Sequence, residues 1–266
     1  VECTCWRDET GAHQHQNRLV NKELRKFCCM SDSLVTTERR DGVLICHLDD
    51  GKANALSQAM ITAITGALSE AESDDSVHAV VLHGRDGKFS AGFDLKVMLG
   101  NDVAAMVDLV ANGGELVRTI YSAKVPVVAA CTGHALAAGA LILLGCDVRI
   151  GSDRPCKIGL NEVAIGMTLP DWALTIAADR LSNRHLQRAI PTARITDGAG
   201  AVDAGYLDEI VADDAVLEVA VAQAMEFAAL SPKAYAVTIG KMRGNTVATM
   251  AEQIAADRSG GVGAPL

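Results

Sequence analysis

Aromatic side chains are scarce in this 266-residue chain: 2 Trp, 3 Tyr and 4 Phe make up 3% of it. A basic surplus is also missing, since 24 Lys and Arg face 33 Asp and Glu for a formal net charge of −9. Nucleic-acid surfaces need cations for phosphates and aromatic faces for bases, so both shortages exclude that class of partner. The sequence has no G-x-S-x-G and no Ser or Cys placed for a His-based relay, which argues against a hydrolytic triad built on His47, His78, His83 or His185. What is present is apolar: 49% hydrophobic residues exclude a disordered chain, and the length accommodates one large domain with its own core.

Eight cysteines are present, but they lack the spacing of a metal site or a disulfide framework. Cys46, Cys131, Cys146 and Cys156 stand singly in apolar segments, as small buried hydrophobes of a reducing, cytoplasmic protein do. The other four crowd the first 29 residues with His13 and His15, in C-x-C, H-x-H and C-C arrangements that cannot close one zinc tetrahedron; no metal is expected. Residues 1–29 carry no apolar run for a signal peptide and too many acids for a transit peptide. They read as a disordered or non-native extension, with Met30 as the biological start.

From Leu34 onward the pattern alternates strands and helices. Val35–Glu38 and Val43–Leu48 flank Arg40-Asp41-Gly42, a hairpin with Asp-Gly at its turn. Ser57 opens an amphipathic helix to about Glu72, and Val77–Leu82 is a buried strand. Further helices are expected over Val103–Ala123, up to Leu144, over Asp171–Ala189 and over Asp214–Leu230, with strands at Val127–Ala130, Val148–Ile150 and Cys156–Ile158. Helices packed over a mainly parallel sheet follow from this alternation. Val125–Cys146 has 22 residues without a formal charge, yet Pro126, Gly133, His134 and Gly139 interrupt it, so strand, turn and buried helix is the better account than a membrane span.

Three segments carry the chemistry. In Lys88-Phe89-Ser90-Ala91-Gly92-Phe93-Asp94-Leu95-Lys96 and in Thr132-Gly133-His134-Ala135-Leu136-Ala137-Ala138-Gly139-Ala140-Leu141, a turn of small residues feeds a helix N-terminus. Such a terminus offers unpaired N–H groups and a positive dipole end, and two of them converging make an oxyanion hole. In the third, Ile158-Gly159-Leu160-Asn161-Glu162 and onward to Trp172, a carboxylate lies in an apolar stretch, the environment that raises a pKa and makes a general base.

These segments, with Ala53-Asn54-Ala55-Leu56-Ser57 before them and Ala204-Gly205-Tyr206-Leu207-Asp208-Glu209-Ile210-Val211 and Leu230-Ser231-Pro232 after them, resemble the enoyl-CoA hydratase/isomerase (crotonase) superfamily from about Leu34 to Lys241. The resemblance implies an α/β fold, a crotonase-like spiral of ββα units with a helical C-terminal trimerisation region. Residues 30–225 form the core domain and 226–266 a short helical C-terminal region, in a homotrimer or dimer of trimers. It also implies an acyl-CoA thioester as substrate, with coenzyme A as part of that substrate and no separate cofactor, and no nucleic-acid or membrane partner.

Site residues follow position by position. Phe93, after Gly92, and Ala138, before Gly139, match the two backbone donors to the thioester oxygen. Glu162 matches the catalytic base, while Leu141 occupies the position of the hydratases' other glutamate. One base without a partner suits migration of a double bond rather than addition of water. The stretch from Ile158 to Trp172 and the Gly133-His134-Ala135 run resemble the 3,2-enoyl-CoA isomerase branch of fatty-acid β-oxidation. Ala53, Ala91, Gly92, Asp94, Leu95, Gly139 and Leu141 fall at substrate-binding positions, and Lys52, Lys96 and Lys241 at positions that meet coenzyme A phosphates. Exposed lysines are otherwise simply solvated.

Dienoyl-CoA isomerases carry an Asp eight residues beyond the glutamate; that position is Pro170 here, and Asp171, one residue later, is a second-acid candidate or a helix-start residue. His134 reads as a structural hydrogen-bonding residue, and Met98 and Met106 as pocket lining or ordinary core. A hydratase working with Glu162 alone is one alternative, and a non-catalytic acyl-CoA binder another. One departure from the family is expected: Ala251–Leu266 is too rich in Gly and Pro toward its end for a further C-terminal helix.

Overall fold

Asp41 and Gly42 have φ of 45° and 81°, the left-handed backbone that matches a two-residue turn to the twist of a hairpin. They join β1 (Val35–Arg40) to β2 (Val43–Leu48) in full antiparallel register, as the sequence pattern requires. The protein is described here by a computed structural model covering residues 33–260. The reading of residues 1–29 as an extension, the non-metal reading of their cysteines and histidines, and the start at Met30 lie outside the described residues.

A six-stranded sheet carries the fold in the order β1, β2, β4 (Ala79–His83), β7 (Val127–Cys131), β9 (Val148–Ser152) and β11 (Glu209–Val211). Every pairing after the first is parallel. Parallel strands must be covered on both faces, and the alternation along each strand divides its side chains between two cores. Leu44, Cys46, Val80, Leu82, Val127, Ala129 and Cys131 enter the larger one. Val43, Ile45, Ala79, Val81, Val128 and Ala130 enter the smaller, beneath α8 (Val216–Ala228). Burial pushes the thiols of Cys46 and Cys131 up to about 12, so both are inert core filling.

The larger core is closed by α1 (Gln58–Ser73), α3 (Val103–Tyr121), α4 (Ala138–Gly145) and α5 (Asp171–Arg180). Ser57 caps α1 by accepting from Met60 N–H at 3.2 Å, as its position before an amphipathic run predicts. All eight residues of α4 are buried, which accounts for its being apolar all round. The uncharged stretch 125–146 is thus β7, a short strand β8 (Gly133–Leu136) and α4. Among the described residues no single helix is long and apolar enough to cross a membrane. The expected helix over Asp171–Ala189 is broken into α5 and α6 (Asn183–Ala189), because Leu181 is extended and Ser182 N–H turns to Ala204 O, at the end of α7 (Gly198–Ala204).

Two sequence expectations are corrected. The boundary between residues 225 and 226 falls inside α8, and the chain from Leu34 on is one compact unit. The last helix, α9 (Pro232–Gly260), runs for 29 residues through Ala251–Ser259, which are helix formers; the Gly/Pro cluster begins only at Gly260.

Helix α9 packs on α3 and α5, and a buried cation on it ties it to α3 and to the loop before β9. Arg243, 4% exposed, donates to Asp147 Oδ1 at 2.8 Å and Tyr121 O at 3.0 Å, with its guanidinium 4.5 Å above the Tyr121 ring. Asp147 Oδ2 in turn accepts from Val127 N–H at 2.7 Å and from the Tyr235 hydroxyl at 3.0 Å. Breaking such a pair leaves an uncompensated buried charge. Arg243→Leu is expected to lower stability by about 3 kcal/mol in denaturant unfolding and to speed amide exchange in α9; unchanged exchange there would show that the pair does not anchor the helix.

Candidate active site

The site is built from backbone forced into close contact. Two short strands, β3 (Ala55–Leu56) and β6 (Gly92–Phe93), pair in parallel, while β5 (Gly87–Ser90), β8 and β10 (Ile158–Gly159) form a separate three-stranded sheet. Asn54, 1% exposed and at φ 51°, ties the two together. Its Nδ2 donates to Leu48 O at 2.8 Å and Phe89 O at 3.2 Å, and its carbonyl accepts from Ser90 Oγ at 2.7 Å. Asp50 holds this turn by accepting from the backbone N–H of Lys52, Asn54 and Ala55. The Ala-Asn-Ala motif is thus a scaffold residue flanked by small ones.

Gly92, at φ 89°, lies against the start of α4. A Cβ there would be 2.8 Å from Ala137 Cβ and 3.3 Å from Ala138 N. On the other side, a Cβ on Gly139 would be 2.4 Å from Ser90 O. No side chain fits at either position. Ala138 is the first residue of α4, so its N–H has no acceptor within the helix. Asp94 N–H donates to Leu56 O at 3.2 Å, so the preceding Phe93 N–H faces away from β3. The Phe93 ring is fixed against Gly113 of α3, where a Cβ would be 2.3 Å from it.

Ala137 precedes α4 at φ 50°, ψ −126°, a conformation that costs an alanine about 1–3 kcal/mol. Three bonds impose it: its N–H donates to Gly159 O at 3.0 Å, and its carbonyl accepts from Ala140 and Leu141 N–H. The bond to Gly159 also places the third segment. Leu160 is buried, and Glu162 follows at a 3₁₀ turn (Val163–Ile165) closed by Gly166 at φ 77°. Glu162 Oε2 is buried with no hydrogen-bond partner, and burial pushes its carboxyl up to about 7. A carboxylate poised near neutrality, away from cations, is suited to removing and returning a proton. Leu141 is buried in α4, so no second carboxylate stands at that position.

The remaining sequence candidates divide. Ala53 N-terminal to Asn54, Ala91 and Asp94 belong to the donor turn; Ala91 N–H donates to Ala53 O at 3.0 Å, and Asp94 caps the short helix α2 (Leu95–Met98) through Lys96 N–H. Leu95 and Lys96 are exposed beside it. Lys52 is exposed, and its carbonyl gathers Arg85 Nη1 at 2.7 Å and Lys88 Nζ at 3.2 Å. Arg85 carries no signal in the sequence, because only the fold brings it to Lys52. Lys241 is exposed on α9. Asp171 starts α5, and its charged neighbour is Asp257 on α9, whose carboxyl is raised by burial and then by Asp171. His134 Nδ1 accepts from Lys157 N–H at 2.9 Å, a structural bond, and Met98 and Met106 are buried in the larger core. Among the described residues no group of three or more His, Cys, Asp or Glu is arranged to hold a metal.

Comparison with known proteins places the fold in a family. Residues 38–260 match the profile of the family described as enoyl-CoA hydratase/isomerase. The chain is 32% identical to the mitochondrial enoyl-CoA delta isomerase 1 of Mus musculus over 84% of its own length and 78% of the relative's. It is 30% identical to a probable enoyl-CoA hydratase of Bacillus subtilis, over 77% of this chain and 80% of that one. The crystal structure of human mitochondrial delta3-delta2-enoyl-CoA isomerase superposes with a TM-score of 0.81 at 30% identity, covering 85% of this chain and 89% of that one. Sheet, donor turns and match together place this chain, as an enzyme with the crotonase fold, in the enoyl-CoA hydratase/isomerase family.

Proposed function

We propose that the protein is an acyl-CoA double-bond isomerase of fatty-acid oxidation, converting 3-enoyl-CoA to trans-2-enoyl-CoA with Glu162 as its single base. The observation that carries this reading is the buried, unpaired carboxylate oxygen of Glu162, with an apolar residue, Leu141, in α4 where a second acid would be needed. Hydration needs one group to activate water and another to handle its proton; migration of a double bond needs one base that gives back what it takes.

In this mechanism Phe93 N–H and Ala138 N–H bind the thioester oxygen. Glu162 removes a proton from C2; the C–H electron pair moves into a dienolate whose oxygen charge the two amides stabilise. The protonated Glu162 then delivers the proton to C4, leaving the double bond between C2 and C3. Atoms balance with no cofactor. Lys52 and Lys96, with Arg85 and Lys88 beside Lys52, are the cations for the coenzyme A phosphates. A homotrimer or dimer of trimers belongs to the same reading; Leu99 and Met242, 75% and 65% exposed, are apolar surface that such an assembly would cover.

Parallel assays with a 3-enoyl-CoA and a 2-enoyl-CoA test the reaction. Conversion of the first without hydration of the second is expected; water addition to the second overturns the reading in favour of a hydratase, and binding without turnover of either in favour of a carrier. Glu162→Gln should reduce isomerisation by about 100- to 10,000-fold.

The rate should rise with pH through about 7 and level off above it, since only ionised Glu162 accepts a proton. A flat profile between pH 5 and pH 8 would exclude it as the base.

Stability runs the opposite way. The folded carboxyl titrates above its ordinary value of 4.5, so the folded state binds the proton more tightly; its stabilising effect is full below pH 4.5 and lost as pH rises through about 7. Glu162→Gln should therefore be more stable than the parent at pH 8 by up to about 3 kcal/mol, with the difference vanishing near pH 4. Equal melting temperatures at pH 8 would mean that the carboxylate is better solvated than its burial implies.

A further inference from the structure

Helix α3 carries two consecutive buried glycines, Gly113 and Gly114, in the middle of its 19 residues. Neither has a left-handed φ, so no turn or strained backbone calls for glycine there. Each costs a helix interior about 1 kcal/mol relative to alanine. Room for a neighbour is the remaining reason, and each glycine receives one aromatic ring. A Cβ on Gly114 would be 2.9 Å from Trp172 Cε2 and from Ile254 Cγ1. A Cβ on Gly113 would overlap Cε1 and Cζ of the Phe93 ring.

The peptide that joins Gly92 to Phe93 carries the first donor. At its start Gly92 is wedged against Ala137 and Ala138. Beyond its end, Asp94 N–H donates to Leu56 O at 3.2 Å, and the Asp94 carboxylate accepts from Lys96 N–H at 2.9 Å. These contacts fix the main chain on either side of Phe93. The Phe93 side chain is half-buried, and its ring is seated in the dent that Gly113 leaves in α3.

We propose that Gly113 is a positioning residue for the first oxyanion donor: by admitting the Phe93 ring into α3 it sets the direction of the Phe93 N–H. A methyl group introduced there drives the ring out of the dent and turns the donor peptide with it. A displacement of about 1 Å is enough to cost a hundredfold where donor geometry decides the rate. The proposal rests on the reading of Phe93 N–H as a donor to the thioester oxygen.

Gly113→Ala is expected to lower kcat about tenfold to a hundredfold with KM little changed, on whichever of the 3-enoyl-CoA and the 2-enoyl-CoA the parent converts. Phe93→Leu alone, which keeps the amide and vacates part of the dent, lowers kcat several-fold. Combining the two refills the dent and regains most of the loss. Phe93→Leu does not rescue Gly114→Ala, whose methyl meets Trp172 instead. Should Gly113→Ala fold poorly, comparison of the double variant with Phe93→Leu carries the same test. Infrared difference spectra of bound hexanoyl-CoA, isotope-labelled at its carbonyl, read the donors without turnover. The carbonyl stretch falls on binding to the parent, falls less in Gly113→Ala, and recovers its full shift in the double variant. Unchanged kcat and carbonyl stretch in Gly113→Ala, with a melting temperature raised by the better helix former, would overturn the proposal and leave the dent as ordinary packing. So would a double variant no faster than Phe93→Leu. Absence of any fall in the stretch on binding to the parent would overturn the donor reading itself, and the proposal with it.

Discussion

The site depends on one close approach of backbone to backbone, Ser90–Gly92 against Ala137–Gly139. Two glycines make it possible, since a Cβ at either would overlap the opposite chain. Everything polar nearby maintains that contact: Asn54 binds the end of β5, Ser90 binds Asn54, and Gly159 holds the strained Ala137. Strain at Ala137 persists because three hydrogen bonds over-determine it. Donors fixed in this way need no reorganisation when charge develops on a bound oxygen, which is where electrostatic stabilisation is most effective.

The same sheet that fixes the donors also delivers the acid. Parallel pairing of β10 with β8 puts Glu162 a few residues beyond the bond that shapes Ala137. The acid is desolvated by burial and has no cation to offset the loss of water. Such a carboxyl is costly to ionise, and that cost is the source of its basicity near neutral pH. In the proposed reaction, stability and chemistry therefore pull in opposite directions at this residue.

Much of this was legible in the sequence where local rules decide. The Asp41-Gly42 hairpin, the Ser57 cap, the apolar runs of β2, β4 and β7, and the unbroken apolar helix α4 all express period, turn chemistry or capping. The glycine-rich turns and Glu162 stood out for the same reason, and the resemblance supplied their order. What escaped was set by distant partners. The two small sheets are strands of two to four residues, too short for any periodicity, and exist because Asn54 and Gly159 bind across the chain. Arg85 reaches Lys52 only through the fold. In the sequence pattern the glycines after the last helix outweigh the helix formers before them, whereas in the fold those formers carry the helix to Gly260.

The pair between Arg243 and Asp147 spans 96 residues of chain. Contacts of that separation close late in folding, since the loop entropy must be met before they form. Strands β7 and β9, which flank Asp147, can pair long before its cation arrives. A nascent chain that has not yet released residue 243 carries a carboxylate with no cation at the edge of its forming core, and docking of the last helix on α3 and α5 is the step that supplies it.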